Sequence, residues 1–238
     1  MFIIKYKKIF LSLSIILIIV SVVFVFIFGL KLGIDFKGGA LLEVDYAGSR
    51  PEISLMENNI KNLNLGQTLI QPTGDSSGSL GYLIKTRDLS QAEHEMLFKS
   101  LSLDDKYPVS EKGFTSIGPS VGSELLRKAI ISIVIVILGI ILFITYAFRK
   151  VSRPVASWKY GVITIITLLH DIIIPTGIFA LVAHYTGAEV DTLFVLALLT
   201  ILGLSVHDKI VVFDRIRENL KEEGGKKSFS EIVGTSTS

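Results

Sequence analysis

The chain has 238 residues, of which 50% are hydrophobic and 19% charged, with mean hydropathy +0.58, net charge +2 and no cysteine. Its apolar residues fall in blocks too long for ordinary core helices, which excludes a water-soluble globular protein and points to the membrane. Disulfides are excluded, and no nucleic-acid partner is expected.

Lys5, Lys7 and Lys8 precede a first apolar block, about Ile9 to Leu30. This run is longer than a signal-peptide core and "FIFGLKLGIDF" offers no small-x-small cleavage site, so it is expected to be an uncleaved membrane anchor. Residues 31–127 then alternate and turn like a small folded domain. "DFKGGALLEVDY" reads as a strand, and "RPEISLMENNIKNLN" as a helix with Ile53, Leu55, Met56, Ile60 and Leu63 at mostly helical spacing. "GQTLIQP" and "LGYLIKTRD" read as strands around a "TGDSSGS" turn. "SQAEHEMLFKSLSL" has Ser90 and Glu93 placed for a capping box, and "KGFTSIGPSVG" reads as a strand and a loop. The order β-α-β-β-α-β predicts a ferredoxin-like α+β sandwich. His94 reads as a solvated histidine on a polar helix, like the acidic pair Asp104 and Asp105. With no nucleophile-base pairing, metal-ligand spacing or P-loop, neither an enzyme nor a metal or other cofactor is expected.

Three further blocks reach spanning length: about Ala129 to Phe148, Gly161 to Ala183, and Thr192 to Phe213. Arg149, Lys150, Arg153 and Lys159 fill the link between spans two and three, and Arg215, Arg217, Lys221, Lys226 and Lys227 follow span four. "HYTGAEVD", between spans three and four, has Glu189 and Asp191 but no Lys or Arg. Both termini are therefore expected in the cytoplasm, with the 31–127 domain outside. The predicted organisation is a cytoplasmic N-terminus and first span (1–30), the extracytoplasmic domain (31–127), spans two to four (128–214) and a cytoplasmic tail (215–238).

Spans three and four carry ionisable groups. His170 and Asp171 sit near the middle of span three, with Thr164, Thr167 and Asp171 on one helix face, and Pro175 leaves the Asp171 carbonyl without its usual N–H donor. In span four Ser205 and Asp208 share a face, while the long stem of Lys209 is expected to carry its ammonium to the interface. A carboxylate at depth costs at least about 2.5 kcal/mol on insertion scales, so it must find a proton, a cation or water. Asp208 is the first candidate proton site; His170 and His207 read as helix-helix contacts or relay members. In "FDRIRENL" the i,i+4 pairs Asp214/Glu218 and Arg217/Lys221 are of like sign, so no salt-bridge ladder is expected.

Four motifs follow in fixed order: "GIDFKGG" after span one, "IGPSVGSEL" before span two, "HD" in span three and "GLSVHDKIVVFDRIREN" closing span four. Together they resemble the SecD/SecF family of the bacterial Sec export machinery, specifically its SecF branch, over nearly the whole chain. The resemblance implies a six-span core of the resistance-nodulation-division superfamily, of which this chain has four spans. It implies association with SecD, the SecYEG channel and preproteins, with YajC as a further candidate partner, and use of the proton gradient to help complete export. By motif it places Asp208 in the intramembrane proton pathway, where Asp171, His170 and Ser205 are expected to join it. The family-motif positions are Gly33, Asp35, Phe36, Gly38, Gly39, Gly118, Pro119, Gly122, Asp214, Arg215, Arg217, Glu218 and Asn219. Two departures stand beside Asp208, where the family commonly has Asn and a small hydroxyl residue: His207 and Lys209. The family continues into two more spans, the fifth with an Arg that works with the Asp; this sequence ends at "GTSTS" and is expected to be truncated, to be completed by a second polypeptide, or to work by another route. The alternatives are a non-transporting assembly subunit and a small-molecule exporter of the same superfamily.

Overall fold

The structure, a computed structural model, describes residues 2–74, 80–103, 106–147, 157–223 and 226–237. The expected turn at 75–79, Asp104, Asp105 and the basic residues Arg149, Lys150 and Arg153 lie outside these. The chain divides into two compact units: 1–31 with 129–238, and 32–128.

The first unit opens with a short helix α1 (Phe2–Lys5) and α2 (Lys7–Phe28). At 1.5 Å per residue, the 22 residues of α2 extend about 33 Å, enough to cross the hydrocarbon core. Within 32–128, a four-residue helix α3 (Ile34–Lys37) precedes strand β1 (Gly39–Tyr46). "DFK" is thus helical rather than part of the expected strand, because Gly38 at φ +80° breaks the chain direction between the two. The elements α4 (Ile53–Ile60), β2 (Leu69–Gly74), β3 (Leu80–Thr86), α5 (Gln91–Leu101) and β4 (Val109–Ile117) follow. The sheet is antiparallel in the order β2-β3-β1-β4, the arrangement of a ferredoxin-like sandwich.

Its core follows from a period of two on the strands and of 3.6 on the helices. Ala40, Leu42, Val44 and Tyr46 of β1 are buried together with Met56 and Ile60 of α4 and Leu97 and Leu101 of α5. Two tyrosines enter this core and keep their hydroxyls bonded: Tyr46 donates to the Leu101 carbonyl at 3.1 Å and Tyr82 to the Pro51 carbonyl at 2.6 Å. Burial pushes the Tyr46 phenol well above its ordinary range.

His94 is not solvated. It is on the face of α5 that also buries Leu97 and Leu101, stacks on Phe114 with ring centroids 3.8 Å apart, and places Nε2 3.0 Å from Glu111. Its spacing from Leu97 and Leu101, three and seven residues, makes it a core position.

Four helices are long and apolar enough to cross a membrane among the described residues: α2, α6 (Pro119–Ala147), α7 (Ser157–Thr186, from Trp158) and α8 (Thr192–Glu223). The expected loop after β4 is instead the first turn of α6, with Pro119 at the opening helical position, where its missing N–H costs nothing. A last helix, α9 (Phe229–Ser236), starts at a Ser228/Glu231 capping box and packs on α8. Large apolar side chains of α2 and α6 stay exposed, among them Ile15, Phe26, Ile135 and Leu142, as lipid- or partner-facing surfaces require.

Candidate functional site

The two glycine motifs that bracket the α+β domain meet. A Cβ on Gly38 would lie 2.7 Å from Pro119 Cα, and one on Gly122 would lie 2.7 Å from the Gly38 backbone nitrogen. Only hydrogen fits at either place, so "GIDFKGG" and "IGPSVG" close on each other backbone to backbone. Gly33 stands before the first turn of α3, Asp35 is in that turn, Phe36 is buried, and Gly39 opens β1 at φ +141°. Gly118 directly precedes α6.

Within the membrane unit, α2 and α7 also approach closely. A Cβ on Gly177 would collide with the backbone of Ser21, and the Ser21 hydroxyl donates to the Ile174 carbonyl at 3.4 Å. The helix runs unbroken through Pro175, and Thr176 donates to the Ile172 carbonyl at 2.7 Å. Hydroxyls thus gather where proline weakens the backbone ladder.

A polar cluster lies between α7 and α8. Asp171 Oδ2 accepts from Lys209 Nζ at 2.7 Å and from the Ser205 hydroxyl, while Lys209 Nζ also contacts Ser205 Oγ. Asp171 Oδ1 faces His170 Nδ1 at 2.9 Å. Beside an ionised carboxylate that nitrogen is the donor, and His170 Nε2 is buried without a partner among the described residues. The Lys209 side chain is 14% exposed, so the expected snorkelling does not occur. Ser205 and Lys209 are four residues apart and rise along one helix face toward Asp171, and an ammonium that finds a carboxylate there need not reach water.

These groups border a cavity of about 500 Å³ whose walls come from α2 (Leu11, Ser14, Ile15, Ile18), α7 (Ile163, Ile166, Thr167, His170, Asp171) and α8 (Ser205, Asp208, Lys209, Val212, Phe213). Asp208 lines it and is exposed, without an ion-pair partner among the described residues. His207 is exposed as well. Thr164 and Thr167 share the Asp171 face but bond inward to their own helix, Thr164 to the Tyr160 carbonyl at 2.8 Å and Thr167 to that of Ile163 at 2.9 Å. The Asp171–Lys209 pair escaped the residue-by-residue reading because its partners are 38 residues apart in the chain. The signal that could have found it was the i,i+4 spacing of Ser205 and Lys209, read against a carboxylate on the neighbouring span.

At the end of α8, Asp214, Arg215 and Glu218 are exposed, and Arg217 reaches Asp214 at 3.5 Å, an i,i+3 contact of opposite sign beside the like-sign i,i+4 pairs. Asn219 donates to Ser236 Oγ at 2.8 Å, tying α8 to α9.

Residues 99–238 match the family described as protein export membrane protein SecD/SecF, C-terminal, and residues 23–48 match the SecD/SecF GG motif, which takes in the Gly38–Gly39 pair. The chain is 36% identical to the protein translocase subunit SecF of Thermobaculum terrenum over 98% of its length, covering 74% of that protein. It is 34% identical to SecF of Anaerolinea thermophila over 89% of its length, covering 67% of that relative. Its fold matches the crystal structure of SecDF, a translocon-associated membrane protein from Thermus thermophilus, with TM-score 0.75 and 26% identity over 98% of this chain and 30% of that one. This multi-pass membrane chain belongs to the SecD/SecF family of protein export membrane proteins.

Proposed function

We propose that the chain is an accessory subunit of the Sec protein translocase that, with SecD, uses the proton motive force to promote preprotein export. The observation that carries the reading is the division of labour in the α2/α7/α8 cavity. Asp171 and Lys209 form a neutral pair, so Asp208 borders the space as a carboxylate with no ion-pair partner among the described residues. Asp208 is then the group that takes up and releases the proton, with Ser205, His170 and Asp171 holding the polar wall of its route. Moving one charge through 100 mV supplies about 2.3 kcal/mol, enough to bias a rearrangement of packed helices.

The placement follows the charge. Lysines at the start of α2 and arginines at the end of α8 support an orientation with these two helix ends in the bacterial cytoplasm and the 32–128 domain on the far side of the cytoplasmic membrane. There the domain meets emerging preproteins, while the open apolar faces of α2 and α6 meet SecD, the SecYEG channel and lipid, with YajC as a further candidate.

The test is preprotein release from vesicles carrying the full-length translocase. Asp208→Asn is expected to abolish the acceleration given by an imposed proton gradient while leaving insertion of the subunit unchanged. Unaltered gradient-driven release would remove Asp208 from the proton route. The Asp171–Lys209 pair also favours a second reading, a static assembly subunit, under which Asp171→Asn and not Asp208→Asn lowers the amount of assembled complex.

A further inference from the structure

We propose that Lys209 is a tethered cation: between Asp171 Oδ2 and the Ser205 hydroxyl its ammonium fills a seat that would otherwise take a soluble monovalent cation. The seat has the chemistry of a hard-cation site. A carboxylate oxygen and a hydroxyl oxygen converge on the Lys209 nitrogen, and Thr167, whose hydroxyl proton is committed to its own helix, adds a third oxygen to the cavity wall. Oxygen donors of this kind suit sodium or potassium as well as an ammonium.

The charge of Asp171 is balanced only while Lys209 is present. Asp171 carries one negative charge, His170 is already turned to its other oxygen, Asp208 adds a second carboxylate to the wall without joining the Lys209 contacts, and the rest is largely isoleucine, leucine and phenylalanine. With the ammonium removed, the carboxylate is left uncompensated at depth and must recruit a cation or a proton. A cation covalently fixed to α8 differs from a soluble one in that it cannot leave the cavity, so sodium concentration becomes irrelevant to the site. The inference stands on the ion pair alone, whether or not Asp208 carries protons during export.

The experiment is equilibrium binding of radiolabelled sodium to the purified chain in lipid nanodiscs, with choline chloride holding ionic strength constant. The wild-type chain and Lys209→Arg are expected to bind no saturable sodium. Lys209→Met is expected to bind it near-stoichiometrically, and Asp171→Asn in the same background is expected to abolish that binding. Lys209→Gln is carried alongside because its amide still donates to Asp171, which preserves the fold if the Met variant is lost. Saturable sodium binding by the wild type would overturn the proposal, since the seat would then be open. Failure of both neutral Lys209 variants to bind sodium would overturn it equally, because a proton alone would then satisfy Asp171.

Discussion

The two units of this chain place a histidine beside a carboxylate at almost the same distance, His94 to Glu111 at 3.0 Å and His170 to Asp171 at 2.9 Å, in opposite surroundings. In the α+β domain the histidine is packed against Phe114 at the margin of an apolar core, and Glu111 keeps about a third of its side chain exposed. In the membrane unit many large apolar side chains are exposed, and Asp171 is met between the helices by Lys209 and Ser205. The first domain hides its hydrocarbon from water; the second pairs the Asp171 charge with Lys209 between its helices. A substitution that is mild in one unit is therefore severe in the other.

The largest effect is expected from unbalancing the membrane pair. Lys209→Met should destabilise the chain by about 3 to 5 kcal/mol, the range for removing one partner of a buried ion pair, and Asp171→Asn in the same chain should recover most of it. Thermal unfolding in nanodiscs compares the two, and a double variant no better than the single one would break the contrast between the units.

Next comes the apolar core of the other unit, where Leu97 is fully buried. Leu97→Ala should cost about 2 to 5 kcal/mol, whereas Leu142→Ala on the open face of α6 should leave the isolated chain's unfolding nearly unchanged. Gly177→Ala should fall close behind, because its new methyl meets the Ser21 backbone and must push α2 and α7 apart. Thermal unfolding in nanodiscs reads the loss, and an unfolding midpoint unchanged in Gly177→Ala would contradict the close approach.

The smallest expected effect is at the surface of α5. Ser90 caps this helix, and Ser90→Ala should cost about 1 kcal/mol. The hydrogen bond from Arg87, together with the Ser90 backbone and hydroxyl, holds Glu93 down to about 2 from its ordinary 4.5. Because the folded value is the lower one, this contribution is present above about pH 4.5 and is lost as pH falls toward about 2. Hydrogen-exchange protection of α5 should decline over that window, and Arg87→Ala should flatten the decline.

The spans were legible in the sequence because twenty-residue apolar runs admit few other structures, and the β-α-β-β-α-β order was legible because alternation and turn residues are local signals. What escaped depends on partners distant in the chain. The α5 spacing that buries His94 is local, but Phe114, which stacks on it, comes from β4. The contact of Gly38 with Pro119 joins two segments that each look like ordinary loop glycine. For the candidate site, the sequence marked His170, Asp171, Ser205 and Asp208, and the geometry brings all four to one cavity. It could not tell that Lys209 turns inward, since a lysine stem reaches either the interface or a carboxylate and only the neighbouring helix decides.

The cavity holds two carboxylates in different settings, Asp171 in an ion pair with Lys209 and Asp208 with no ion-pair partner among the described residues, and the proposal is that Asp208 is the one that exchanges a proton. The most direct measurement is infrared difference spectroscopy of carboxyl protonation in the intact chain in vesicles, with and without an imposed proton gradient, repeated with Asp208→Asn and Asp171→Asn. The expected result is a gradient-dependent carboxyl band that vanishes in Asp208→Asn and survives in Asp171→Asn. A band that survives loss of Asp208 and disappears with Asp171 would contradict it.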